Sequence, residues 1–116
     1  MVEFTKRERI IQESVPGKQL TLAHIIAHPD DDLYVRLELV SHEGAIGILR
    51  ITPNMAAIIA ADVAAKAAGV EVAIIDRFSG SVVIIGDVAA VEAAFQDVEN
   101  VMCGGMGFAP AKLTKT

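Results

Sequence analysis

The sequence predicts one α/β (α+β) domain on the split β-α-β, ferredoxin-like plan, and three features carry that expectation. From Ala45 onward the hydrophobic periodicity alternates as strand, helix, strand, strand, helix, which lacks only the final strand of that plan. An apolar run over residues 20–27 stands ahead of this order and is the stronger candidate for the missing strand, so the domain reads as circularly permuted. A segment over residues 55–68 carries only Asp62 and Lys66 as charges and is otherwise dominated by Ala, Ile and Val, more apolar helix than one face of a sheet covers.

In chain order, residues 1–19 are polar and without clean periodicity and read as an arm ahead of a folded body over residues 20–116. Pro16-Gly17 punctuates the chain before the strand at 20–27, and Pro29 stops it. Asp30, Asp31 and Asp32 stand where carboxylates cap and complement the start of a short helix running to about residue 39. After a loop at 41–44, a second strand covers 45–51. Thr52 is placed to cap the next helix, Pro53 suits its first position, and Gly69 is its left-handed stop after Ala68. Strands at 70–76 and 81–85 are joined by a tight turn through Arg77, Phe78, Ser79 and Gly80. Asp87 caps a third helix on which Val88, Val91, Phe95, Val98 and Met102 follow helical spacing, with Gly104-Gly105 as its end. A short strand at 108–113 is the weaker candidate for the missing strand.

Composition narrows the function. At 116 residues with 53% hydrophobic content the chain builds one core without staples, and its apolar share comes from Ala, Val and Ile with only 4% aromatics, which favours close packing over a roomy aromatic pocket. The single cysteine, Cys103, precludes an intramolecular disulfide, and residues 1–9 lack the apolar core of a signal peptide, so a cytoplasmic location is expected. Residues 55–75 are interrupted by Asp62, Lys66, Gly69 and Glu71, which argues against a membrane span. The net charge is −5, and Lys6, Arg7 and Arg9 alternate with Glu3 and Glu8, so no nucleic-acid partner is expected.

No constellation argues for catalysis. His24, His28, Asp30, Asp31 and Asp32 include metal-ligating types, but Pro29 redirects the chain between them, and neither a metal nor a cofactor is expected. Gly104, Gly105 and Gly107 follow a helix, whereas a phosphate-cradling loop precedes one. Cys103 has no neighbouring group to lower its pKa, and Ser41, His42 and Glu43 are triad types adjacent in sequence rather than directed in space. Asp62 and Lys66, four apart, form a surface pair, and the remaining apolar surface of their helix asks for neighbouring subunits.

Three stretches, IIQESVPGKQLTLAHIIAHP (10–29), AIGILRITP (45–53) and VEVAIIDRFSGSVVIIGDVAAVEAA (70–94), resemble the circularly permuted shell proteins of bacterial microcompartments associated with ethanolamine, propanediol and choline utilisation. The likeness runs over nearly the whole chain from Ile10. It implies a permuted BMC domain assembled as a flat cyclic homohexamer that tiles into a shell facet with other shell proteins and limits diffusion of metabolites. It further implies that Asp76, Arg77, Phe78, Ser79 and Gly80 surround a central pore, and that Ile10, Ile11, Gln12, Glu13, Ser14 and Val15 form a strand of a pore-capping β-barrel. Lys66 takes the place of the family's inter-hexamer lysine, while His28 stands about where unpermuted shell proteins often carry arginine, a weaker and more pH-sensitive partner. The alternative reading is a small oligomeric ligand-binding regulator on a ferredoxin-like fold.

Overall fold

The computed structural model describes residues 17–116. The expected barrel residues, Ile10 to Val15, lie outside them. Among the described residues the order is β1 (Gln19–Ile26), α1 (Asp31–Arg36), β2 (Ala45–Thr52), α2 (Ala56–Ala65), β3 (Val70–Asp76), β4 (Ser81–Gly86), α3 (Val88–Glu99), a π-helical turn (Asn100–Gly105) and β5 (Leu113–Lys115). The strands form one sheet in the order β3-β4-β2-β1-β5. β1, β2, β4 and β3 pair antiparallel in succession, which completes the split β-α-β plan with β1 as the fourth strand.

Strand alternation divides the sheet into two faces. Leu20, Ala23 and Ile25 of β1, Leu49 and Ile51 of β2, and Val82 and Ile84 of β4 pack in the main core with α2, α3, Met102 and Phe108. Ile46 and Ile85 point the other way into a smaller cluster with Tyr34 and Leu39. Gly47 lets α3 lie close on the sheet. A Cβ there would stand 2.7 Å from Val91 Cγ1 and 2.9 Å from Phe95 Cζ, inside van der Waals contact.

Five local expectations are corrected. α1 ends at Arg36 rather than near residue 39, because Glu38 adopts φ 57° and the chain closes a Schellman motif: the Leu39 amide donates to Tyr34 O and the Glu38 amide to Val35 O. The motif brings Leu39 against Tyr34 in the smaller cluster. Thr52 does not cap α2 and Pro53 does not open it. Thr52 is the last residue of β2, paired with Gln19, and α2 begins at Ala56 after a turn in which Pro53 O accepts from the Ala56 amide. Neither Asp30 nor Asp87 makes a side-chain cap bond, although both hold the N-cap positions. Finally, α3 does not stop at Gly104-Gly105 but loosens into the π-helical turn that contains them, and the terminal strand forms at Leu113–Lys115, parallel to the outer edge of β1, instead of at 108–113.

Gly47→Ala is expected to lower stability by about 1–3 kcal/mol, the usual cost of overpacking, because Val91 and Phe95 belong to the helix the new methyl would displace. Urea unfolding of the two proteins, compared at equal slope, measures it.

Candidate functional site

The β3–β4 hairpin turn is the most elaborately braced surface feature of the fold. The Gly80 amide donates to Asp76 O at 2.8 Å, and Ile51 donates to Gly80 O at 2.9 Å, tying the turn to the end of β2. Asp76 Oδ1 accepts from the Phe78 amide at 2.9 Å and from the Ser79 amide at 3.3 Å. These bonds favour the ionised carboxylate: the Phe78 amide foremost, then the Ser79 side chain, hold Asp76 below the usual carboxylate range. Asn54 Nδ2 donates to Phe78 O and Arg50 Nε donates to Ser79 O at 3.2 Å, so β2 and the segment after it brace the turn from below. Gly80 has φ +79° and no room for a side chain, since a Cβ would lie 2.3 Å from Ile51 O.

With its carboxylate turned inward, Asp76 does not neutralise Arg77. The Arg77 guanidinium lies over the Phe78 ring at 4.9 Å and makes no ion pair among the described residues. Phe78 itself is 78% exposed. The five residues expected at a pore rim thus form one rigid projection that presents a cation and an aromatic ring.

Lys66 and His28 sit at the other end of the sheet. Pairing of Arg50 and Asp76 with Ser81 marks the turn end, whereas Ile26 pairs with Ile46 and Val70 with Gly86 at the far end, where the chain leaves β1 for His28 and arrives from Lys66. Lys66 Nζ and Asp62 Oδ2 are 2.9 Å apart, the pair read from their spacing, with side chains 75% and 60% exposed. Such a pair contributes about 0.3–0.5 kcal/mol. His28 is exposed on the loop before α1 and is not joined to His24, whose ring nitrogens meet the Thr114 and Thr116 hydroxyls. Among the described residues no group of three or more His, Cys, Asp or Glu is placed to hold a metal, and no helix is long and apolar enough to cross a membrane. Cys103 is half-buried in the π-helical turn, and burial, with Glu99 secondary, pushes its thiol up.

Helix α2 connects the two ends and is inverted in its packing. Ala56, Ala57, Ala60, Ala61 and Ala64 face the core, while Ile58 and Ile59 are 46% and 41% exposed and Met55 at its start 60%. A helix stabilised by its own core alone would place its large residues inward. Sequence reasoning found the excess of apolar surface but missed Asn54 and Arg50, whose polar types gave no sign that the bonds they make cross to a turn more than twenty residues on.

Comparison with known proteins bears on the family and the fold. Residues 45–109 match the family model described as the BMC domain, which begins at β2 and leaves β1 and α1 outside. The bacterial microcompartment shell protein CutR of Streptococcus intermedius is 51% identical over 114 residues, covering 98% of this chain and 97% of the relative. The shell protein PduU of Salmonella typhimurium is 50% identical over 109 residues, 94% of each chain. A solved structure of a CutR flat hexamer superposes with a TM-score of 0.82 at 50% identity, covering 94% of this chain and 99% of the other.

The lowered pKa of Asp76 sets a pH dependence. Because the folded value lies below the unfolded one, the stabilisation is fully present above about pH 4, the unfolded carboxylate range, and is lost as pH falls through the folded value. Asp76→Ala is therefore expected to melt below the parent at pH 7, with the gap narrowing towards pH 3. A gap unchanged across that range in thermal melts would contradict the assigned role.

Proposed function

Because the chain belongs to the BMC-domain family of bacterial microcompartment shell proteins, we propose that its copies close into a flat cyclic hexamer that tiles into a shell facet. The protein is a structural shell protein and not an enzyme. The observation that carries the assembly is the outward-facing Ile58 and Ile59 of α2: large aliphatic residues held out of the core on an alanine-faced helix are surface that a neighbouring copy removes from water. The solved CutR flat hexamer, built on a closely similar chain, supports the ring.

In this reading the hairpin turn faces the ring axis and Asp76, Arg77, Phe78, Ser79 and Gly80 form the pore rim, supported by the turn's rigidity and by its place at the opposite end of the sheet from Lys66 and His28, the proposed outer edge. The arm ahead of β1 enters the sheet at Gln19, at the turn end, which favours its assignment to a cap over the pore. Permutation accounts for a family match that starts at β2 while β1, earlier in the chain, supplies the strand beside it. Other shell proteins are the expected lateral partners, in a shell within the cytoplasm, and the assembled layer limits diffusion of metabolites.

Electron microscopy of the pure full-length protein tests the assembly: sheets, tubes or filaments are expected, whereas only discrete small rings that saturate with a metabolite would favour a ligand-binding regulator. Lys66→Ala is expected to weaken assembly between oligomers while leaving each oligomer intact by size measurement, and unchanged sheets would remove Lys66 from the edge. Six Arg77 side chains around one axis, none with an ion pair among the described residues, create a field that attracts anions. Arg77→Ala is expected to lose most sulfate or phosphate binding in calorimetry, and a variant that binds as tightly as the parent would place the anion elsewhere.

A further inference from the structure

The C-terminal segment is fastened to β1 at two places and arches away between them. At the near end the Ala109 amide donates to Lys18 O at 2.9 Å, the Leu20 amide donates to Ala109 O at 2.8 Å, and Phe108 is buried below. At the far end β5 pairs with Ala23, His24 and Ile25, and Thr116 exchanges backbone bonds with Ile25 and Ala27 at 2.9 and 2.8 Å. His24 grips the Thr114 and Thr116 hydroxyls through its two ring nitrogens, and Lys115 Nζ pairs with Glu92 of α3 at 2.5 Å. Between these anchors Pro110, Ala111 and Lys112 form no ladder with β1, and β1 itself shifts register between Leu20 and Leu22.

The arch encloses a cavity of about 230 Å³ against α3. Its floor is Leu20, Ala23, Leu49 and Phe95, each no more than 7% exposed, so the floor is apolar while the mouth is polar and opens to solvent. A dry apolar cavity of about 150 Å³ accepts benzene, and this one is larger. The mouth on the helix side carries Glu92, Gln96 and Glu99. Gln96 turns its amide NH2 to Asn100 Oδ1 at 3.1 Å, leaving its carbonyl oxygen as an acceptor, and Glu99 has no ion pair among the described residues. Among the described residues the cations at the mouth are Lys112, on the arch, and Lys115, which is already paired with Glu92. The mouth is therefore richer in hydrogen-bond acceptors than in donors.

We propose that this cavity is a binding site for a small amphiphile with an apolar body about the size of a benzene ring and a hydrogen-bond-donating head, an alcohol or an ammonium. The body lies on Leu20, Ala23, Leu49 and Phe95, and the head meets the Gln96 carbonyl and the Glu99 carboxylate. One chain builds the whole site. It lies outside the proposed pore turn and the Lys66 edge.

Four probes of one body separate the terms: benzyl alcohol, benzylamine, toluene and benzoate, titrated into full-length protein labelled at Ala and Leu methyls. Benzyl alcohol and benzylamine are expected to shift the Leu20, Ala23 and Leu49 methyl resonances saturably, with toluene and benzoate weaker by about tenfold or more, the value of one good hydrogen bond to a charged group. Ala23→Leu fills the floor and is expected to abolish those shifts. Glu99→Gln, at the cavity mouth, is expected to weaken benzylamine by about tenfold and benzyl alcohol by about twofold or less. If Ala23→Leu fails to fold, the Glu99→Gln comparison decides. Absence of saturable shifts at these methyls, shifts centred elsewhere, or equal binding of toluene or benzoate would overturn the proposal.

Discussion

Helix α2 meets the sheet on five alanines and leaves Ile58 and Ile59 facing outward. Small inward residues bring the helix backbone close to β2, β3 and β4, and the dispersion gained there depends on contact at full packing density. Gly47 does the same for α3, where the missing side chain is occupied by Val91 and Phe95. A thin, tightly packed layer results, with its larger aliphatic surface turned outward. That arrangement leaves a single chain with apolar area it cannot cover and makes association with further copies the physical complement of the fold.

The two ends of the sheet are built differently. At the hairpin end the backbone is over-determined: Asp76 accepts two amides, Gly80 admits no Cβ, and Asn54 and Arg50 hold the turn's carbonyls. The side chains presented outward, Arg77 and Phe78, are consequently carried on a fixed frame. At the other end His28 and Lys66 are exposed groups on a loop and a helix terminus, and the Asp62–Lys66 pair is open to water. A braced turn suits the proposed pore rim, whereas an exposed lysine suits the proposed contact between separately formed rings.

The outer edge of β1 is managed by the chain's own C-terminus. An unpaired edge is a template for unwanted pairing, and β5 covers it with a short parallel strand held by His24 and by the Lys115–Glu92 pair. Because the cover is fastened at its ends and proline interrupts its middle, it does not pack flat against the core, and a cavity remains between strand and helix.

The pattern along the chain determined the elements and their order: short apolar runs bounded by turn residues mark β1, β2, β3 and β4, spacing of three and four marks α3, and the lack of a fourth strand after Ala45 assigned that role to β1. The excess of apolar surface on α2 was legible as well, since a run with two charges between Met55 and Ala68 is visible in composition alone, whereas the structure decided that its alanines face inward and Ile58 and Ile59 outward. The tertiary structure alone decided where the elements begin and end and how the surface groups are used. α1 stops at Arg36 because Leu39 reaches Tyr34 on the sheet's second face, α2 starts late because Thr52 is drawn into pairing with Gln19, and β5 forms where an edge is free. The Asn54 bond to Phe78 spans 24 residues and the His24 bond to Thr116 spans 92. Such contacts join residues whose types are unremarkable in their local windows, so their meaning arises only when the sheet has brought distant segments into register.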